Sequence, residues 1–380
     1  MRFVTIALAL VATVTIAPAQ RHKLATINAE TPEGQLLQQI GSESDEAKKL
    51  ALMEDFTARY PQHEGAAWVY EQLIPAYSKA GQYDKALASG DKLIAADPDD
   101  VESAYACLQA AEAKKDADLV IKWSGATSAA ARKLAQSPKP ADAGEAEEWA
   151  RRVDYAKQVD VRSEYSLYAT MLQVTDPKKK IQLGEALEQR NPQSQYLPQM
   201  ADQRLMAYVQ AGEGAKGMAL AEKAVASGEA GVEMLLAAAD GNRANKQYDK
   251  ASALAKKAVE AAAAKPKPEG VSDADFATWK TQVTGRAHWI AGLSAAAQNR
   301  WPAADQELRA ALPGIKNSRD MLAEALFYLG LANYRIAEAG QTERARDALR
   351  YSQECAAIPG RFQGPAGTNV KAIKTRYHIQ

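Results

Sequence analysis

Apolar residues recur along most of this chain at intervals of three and four. Around the first tryptophan they fall at Tyr70, Leu73, Ile74 and Tyr77, the spacing that lines one face of a helix. Alternating β-branched runs bounded by hairpin turns, the mark of strands, do not stand out anywhere. The helical runs are short and are broken at steady intervals, as in KAGQYD, ADPDD, VTDPKK, RNPQS, QAGEGA, ANKQYD and QNRWPA. Each break sets Gly, Pro, Asn or Asp among polar neighbours, residues that tolerate or fix the backbone angles of tight turns. The pattern predicts an all-α chain of many helices joined by short turns.

A recurring break of this kind calls for a repeat. Gly217, in GAKGMALAEKAVASG, and Ala251, in QYDKASALAKKAVEA, stand 34 positions apart. At the same interval Ala221 aligns with Ala255, Ala224 with Ala258, and Ala201 with Leu235. The segment from Ala67 to Asp100 shows the unit most fully. Tyr70, Leu73, Ile74 and Tyr77 lie on a first helix, Gly81 in the turn, and Tyr83, Ala86 and Leu93 on a second helix followed by Pro98. Gly81 can take a left-handed backbone and close the first helix. Ala86 lets the paired helices approach, and Pro98 stops the second.

This unit resembles the tetratricopeptide repeat (TPR), with two departures: Ile74 at a slot where the family prefers a small residue, and Gly90 where it prefers a bulky one. More degenerate copies place Gly292, Trp301, Ala304, Leu308 and Ala311 in the same slots, then Leu329, Gly330, Ala345 and Leu349. Glu164 to Pro192 has the length of a helix pair, and DEAKKLALMEDFTARYP reads as the second helix of a partial N-terminal repeat. The resemblance covers most of residues 31–358. It implies an α-solenoid of stacked helix-turn-helix repeats forming a right-handed superhelix, whose concave groove holds segments of protein partners. The groove-facing slots carried onto this chain are Trp68, Glu71 and Lys79, then Arg286 and Trp289, then Phe327, Tyr334 and Arg335. Packing between repeats is the competing role for each.

The expected organisation is a signal peptide at 1–19, N-terminal TPR-like repeats at 20–137 and a Pro-rich hinge at 138–144. Central repeats at 145–264, a Pro-rich insert at 265–275 and C-terminal repeats at 276–358 follow. A basic tail at 359–380 completes it, in which TNVKAIKTRY reads as a short helix capping the last repeat. The export reading rests on Arg2, the apolar run FVTIALALVATVTI and the small residues of APA before Gln20. That run falls short of the roughly 18–20 residues needed to span a bilayer, and no later stretch is long and apolar enough. The expectation is an exported protein, periplasmic or extracellular, with no transmembrane segment after cleavage.

Lys+Arg and Asp+Glu balance at 47 each, so no global positive field recruits nucleic acid. Aromatics are only 7%, and the alanine-rich remainder suits closely approaching helices. GEGAKG (Gly212 to Gly217) matches the dinucleotide fingerprint by letter, but it follows the helical stretch DQRLMAYVQA rather than a strand. A flexible turn is expected there. His22, His63, His288 and His378 are too scattered for a metal site, and His288 is expected to be packed at a large-residue slot. Cys107 and Cys355 read as two buried free thiols. Glu147–Arg151 and Glu148–Arg152 read as surface pairs on a helix. The sequence therefore predicts no catalysis, no cofactor and no metal. It predicts a protein–protein interaction scaffold in the cell envelope; the alternative is a carrier of a small molecule, glycan or lipid inside the superhelix.

Overall fold

The computed structural model describes residues 21–24 and 27–379; the expected export signal lies outside them. Among the described residues every regular element is a helix. The chain divides between Leu197 and Pro198 into two compact units, which are described separately.

The first unit holds α1 (Pro32–Ser42), α2 (Glu46–Arg59), α3 (Ala66–Lys79), α4 (Tyr83–Ala96), α5 (Val101–Lys114), α6 (Ala117–Ala135), α7 (Ala143–Gln173) and α8 (Pro177–Arg190). Most of the starts are capped as their sequence dictates. The side chains of Thr31, Asp45, Asp100, Asp116, Asp142 and Asp176 accept hydrogen bonds from amides of the first turn, groups that a helix leaves unpaired. Each helix packs on the next, and α3 also meets α5, α5 meets α7, and α6 meets α8. First helices therefore stack on first helices and second on second, the two-layer arrangement of a solenoid built from helix pairs.

The second unit repeats the scheme with α9 (Leu197–Gln210), α10 (Gly214–Ser227), α11 (Val232–Ala244), α12 (Tyr248–Ala264), α13 (Asp273–Ala297), α14 (Trp301–Ile315), α15 (Arg319–Glu338), α16 (Arg344–Ala356) and α17 (Gln363–Tyr377). Here α11 meets α13, α13 meets α15, and α15 meets α17. The expected period is present in the helix starts: α4 and α6 begin 34 residues apart, as do α10 and α12.

One backbone feature marks the repeat more sharply than any side chain. The turns inside six helix pairs each contain a residue with positive φ: Gly81 (70°), Lys115 (56°), Gly212 (76°), Lys246 (61°), Asn299 (58°) and Gly340 (113°). The GEGAKG stretch therefore supplies the end of the turn between α9 and α10, at Gly212 and Glu213, and the first turn of α10 from Gly214. The α5/α6 pair escaped the repeat search because a lysine stands where Gly81 stands in its neighbour.

Gly90, the odd residue of the best repeat, has a clear physical reason. A Cβ placed there would overlap Cys107 Sγ and come within 3.0 Å of the Trp123 ring. Trp123 is 1% exposed and Cys107 is fully buried, so the following repeat supplies the bulk that the family pattern puts at this slot. Both cysteines are free and buried, as expected.

Two readings need correction. The surface helix read from Glu147–Arg151 and the first helix of the pair read from Glu164 are one element, α7, 31 residues long; nothing between Glu145 and Gln173 breaks a helix. The capping helix begins at Gln363, ahead of TNVKAIKTRY, and buries Ala366 and Ile373 against the end of the second unit. The Pro-rich stretches connect α6 to α7 and α12 to α13, helices that pack on each other, and Trp149 Nε1 donates to Ser137 Oγ at 2.8 Å across the first of them. Among the described residues no helix is long and apolar enough to cross a membrane.

Candidate partner-docking surfaces

The long helix α7 presents two faces of different kinds. One carries Val153, Ala156, Val159, Leu167 and Met171, all buried within the first unit. The other exposes Val161 (47%), Tyr165 (42%) and Leu172 (49%). With Tyr168, these occupy positions i, i+4, i+7 and i+11, a second apolar stripe. Tyr165 and Tyr168 gather with Tyr196 into an aromatic terrace, with Tyr168 stacked on Tyr196 at 5.6 Å and Tyr165 edge-on to it at 5.8 Å. Burial pushes the Tyr196 phenol up, so that ring carries no charge near neutral pH.

A charged border fixes one side of this stripe. Arg162 donates through both guanidinium NH2 groups to Glu112 of α5, at 2.9 and 3.0 Å, and lies 5.1 Å from the centre of the Tyr165 ring. Beside it opens a pocket of about 340 Å³ lined by Glu112, Lys115, Arg162, Tyr165 and Gln173. Exposed tyrosines beside an arginine fork are among the residue types that dominate protein–protein contacts.

The residues picked from the repeat slots have varied settings. Trp68, Glu71 and Lys79 all lie on α3. Trp68 is half-buried, Glu71 accepts from the backbone amides of Arg21 and His22, and Lys79 reaches Glu46 of α2 at 2.7 Å. On α13, Arg286 bridges to Glu233, and Trp289 packs into the core beneath the Arg243 guanidinium at 5.1 Å. On α15, Phe327 stacks on Phe362 at 5.0 Å, Tyr334 meets Tyr377 of the capping helix edge-on, and exposed Arg335 pairs with Glu338. Most of these side chains are therefore engaged in contacts within the chain. The α7 stripe is marked in the sequence by the spacing of Val161, Tyr165, Tyr168 and Leu172, which a helix pair beginning at Glu164 cuts short by leaving out Val161.

Polar clusters in the second unit have a different character. His288 is not closed into the core as expected: it is half-exposed, and its Nδ1 lies 2.7 Å from Glu307 Oε2. The acid on α14 holds the ring at the edge of an open pocket of about 560 Å³, which Lys256 and the Asp249–Arg300 pair also border. On α15, burial holds the Glu324 carboxyl above its usual range, against the pull of Arg361 and Arg243. Among the described residues no group of histidine, cysteine and acidic side chains is placed to hold a metal.

No family model and no curated protein matches this chain. Similar solved structures include the APC/C hetero-tetramer Cut9–Hcn1, at 12% identity and a TM-score of 0.37 over 91% of this chain and 56% of that one. Yeast Tom70 is similar at 13% identity and 0.35, over 95% and 68%. A thermophilic TPR protein of Thermus thermophilus is similar at 18% and 0.19, over 66% and 98%. The chain thus spans little more than half of the Cut9 assembly chain it matches. Likeness at this distance adds nothing to the assignment, which rests on the chain's own period, its stacked helix pairs and its left-handed turn residues. On those grounds the fold is an all-α array of TPR-like helix pairs.

Proposed function

We propose that this protein is a non-catalytic scaffold that holds protein partners, with the exposed stripe of α7 as a principal docking face. The observation that carries this reading is the double use of one helix. Its inner side completes the core of the first unit, and its outer side still exposes Val161, Tyr165 and Leu172. A tyrosine terrace offers large rigid contact area at a small entropic cost, and the Arg162–Glu112 fork supplies a polar rim that orients a bound segment. The export signal read from residues 1–19 supports placing this activity in the cell envelope, outside the inner membrane.

Site-specific photocrosslinking tests it. A photoreactive residue at 165 or 172 is expected to trap a stoichiometric protein partner in cells, whereas one at exposed Lys92 on α4, in the other helix layer, is not. Equal yields from all three positions, or a small molecule co-purifying in place of a protein, would remove the basis for the scaffold reading.

A further inference from the structure

The described chain begins with a short arm that is bound like a ligand. Glu71 of α3 accepts from two consecutive backbone amides, Arg21 N–H at 2.9 Å and His22 N–H at 3.2 Å. The Arg21 side chain donates to both Asp97 oxygens, Nε at 2.6 Å and one terminal nitrogen at 3.1 Å, and to the Asp99 carbonyl at 2.9 Å. His22 is directed between Asp97 and Asp100, with Nε2 3.5 and 3.3 Å from their carboxylates. Asp97, Asp99 and Asp100 form the turn between α4 and α5, and Glu71 closes the pocket from α3.

We propose that this pocket is a recognition site for a chain segment presenting arginine followed by histidine. Residues 21 and 22 are its internal ligand, and a partner segment of the same chemistry displaces them. Three observations separate a ligand from a permanent tie. The recognition is of the kind used for peptides: one carboxylate reads main-chain amides while others read the guanidinium as a fork. The fit is incomplete, because fully buried Asp100 Oδ2 and the facing His22 Nε2 stand 3.3 Å apart, an ion-pair distance, without the alignment of a hydrogen bond. A better-placed occupant satisfies them. The clamp is also open to exchange, since the Arg21 side chain keeps 28% of its exposure and Asp97 22%. The proposal goes beyond the docking role of α7 and does not depend on it.

The test uses a fluorescent peptide, QRHKLATIN, corresponding to residues 20–28, and the purified chain. An internal ligand lowers the apparent affinity for an external one by the fraction of sites it leaves open. The double variant R21A/H22A is therefore expected to bind the peptide at least tenfold more tightly than the unsubstituted chain. Adding Asp97→Asn should lower that affinity at least tenfold. Absence of saturable binding to the double variant, or equal binding to both chains, overturns the proposal. A second measurement needs no variant. In the unsubstituted chain, saturating peptide should accelerate hydrogen exchange severalfold at the Arg21 and His22 amides, and unchanged exchange also overturns it.

Discussion

Replacing Gly90 by alanine puts the packing logic of the first unit to a quantitative test. Two effects of opposite sign act at this position. Removing a glycine from the interior of α4 favours the helix by about 1 kcal/mol. Against that, the new Cβ overlaps Cys107 Sγ and meets the Trp123 ring at 3.0 Å. Both neighbours are closed in, Trp123 at 1% and Cys107 at 0% exposure, so neither can swing into solvent. Overpacking of this kind costs about 1–3 kcal/mol, and a direct overlap with a one-bond side chain belongs at the upper end. The expected net effect of G90A is a loss of about 1–2 kcal/mol. A double-mutant cycle with Cys107→Ala isolates the cause, because deleting Sγ removes the overlap and leaves only the milder Trp123 contact. In that background G90A should be close to neutral, giving a coupling of about 1–2 kcal/mol. Urea unfolding of the four chains, followed by helical circular dichroism, measures it. If G90A matches or exceeds the parent in stability, or loses as much in the C107A background, then Cys107 and Trp123 do not fill the slot that Gly90 leaves.

Five further outcomes follow from other features of the two units. Lys246→Gly should stabilise the second unit by about 0.5–1 kcal/mol by relieving a left-handed residue, and Gly81→Ala should cost about 1 kcal/mol by creating one; urea midpoints decide both. Gly285→Ala should cost about 3 kcal/mol, since its Cβ would come 2.6 Å from Gly314 Cα and 3.0 Å from the Ala311 carbonyl, backbone atoms that cannot turn aside. Arg309→Ala should cost about 2 kcal/mol in thermal or urea unfolding, because Asp305, 5% exposed, loses its bond at 2.8 Å and keeps only Asn333 and Arg344, while Asn333, Asp347 and Tyr351 each lose one bond. Burial pushes the Cys107 thiol up and the Cys355 thiol up to about 11, so neither should be labelled by a thiol reagent at pH ~8 without unfolding, since even unfolded thiols ionise only near pH ~8.5. Stability from these groups is therefore complete below that pH and declines as pH rises toward about 11; prompt labelling of the native chain would contradict the burial.

How far the fold could be read from the sequence depended on which physical constraint marked each element. Gly81 and Pro98 announce their turn and helix end because only certain residues satisfy those backbone angles cheaply, and the α3/α4 pair falls where they place it. The next pair obeys the same geometry with Lys115 and Asp116, residues whose types do not announce a left-handed turn, so its period of 34 was hidden. Helical continuity was the opposite problem. Between Glu145 and Gln173 no residue forbids a helix, yet a search for paired units of standard length divides that stretch, because repeat matching rewards length and is blind to an extension at the outer end. Gly90 was legible only as an anomaly, since the side chain that answers it, Trp123, lies in the following repeat.

The candidate site shows the same division between local and relational information. Trp289, Phe327 and Tyr334 were chosen because large residues on first helices face the groove in such arrays, but an aromatic ring is as useful between repeats as in front of them. Which role it takes depends on what stands opposite. Arg243 covers Trp289, and Phe362 and Tyr377, brought in by the capping segment, cover Phe327 and Tyr334. Leu172 has no such cover in its own unit, and Tyr165, with Arg162 against its ring, is still 42% exposed; the reason is one of register. The inner face of α7 already supplies Val159, Leu167 and Met171 to the core, so the residues offset from them by about half a helical turn must point away from it. A helix with apolar stripes on two sides satisfies one by folding and leaves the other for association. That inference needs both stripes of α7 at once, and becomes available only when the helix is known to be continuous through Val161.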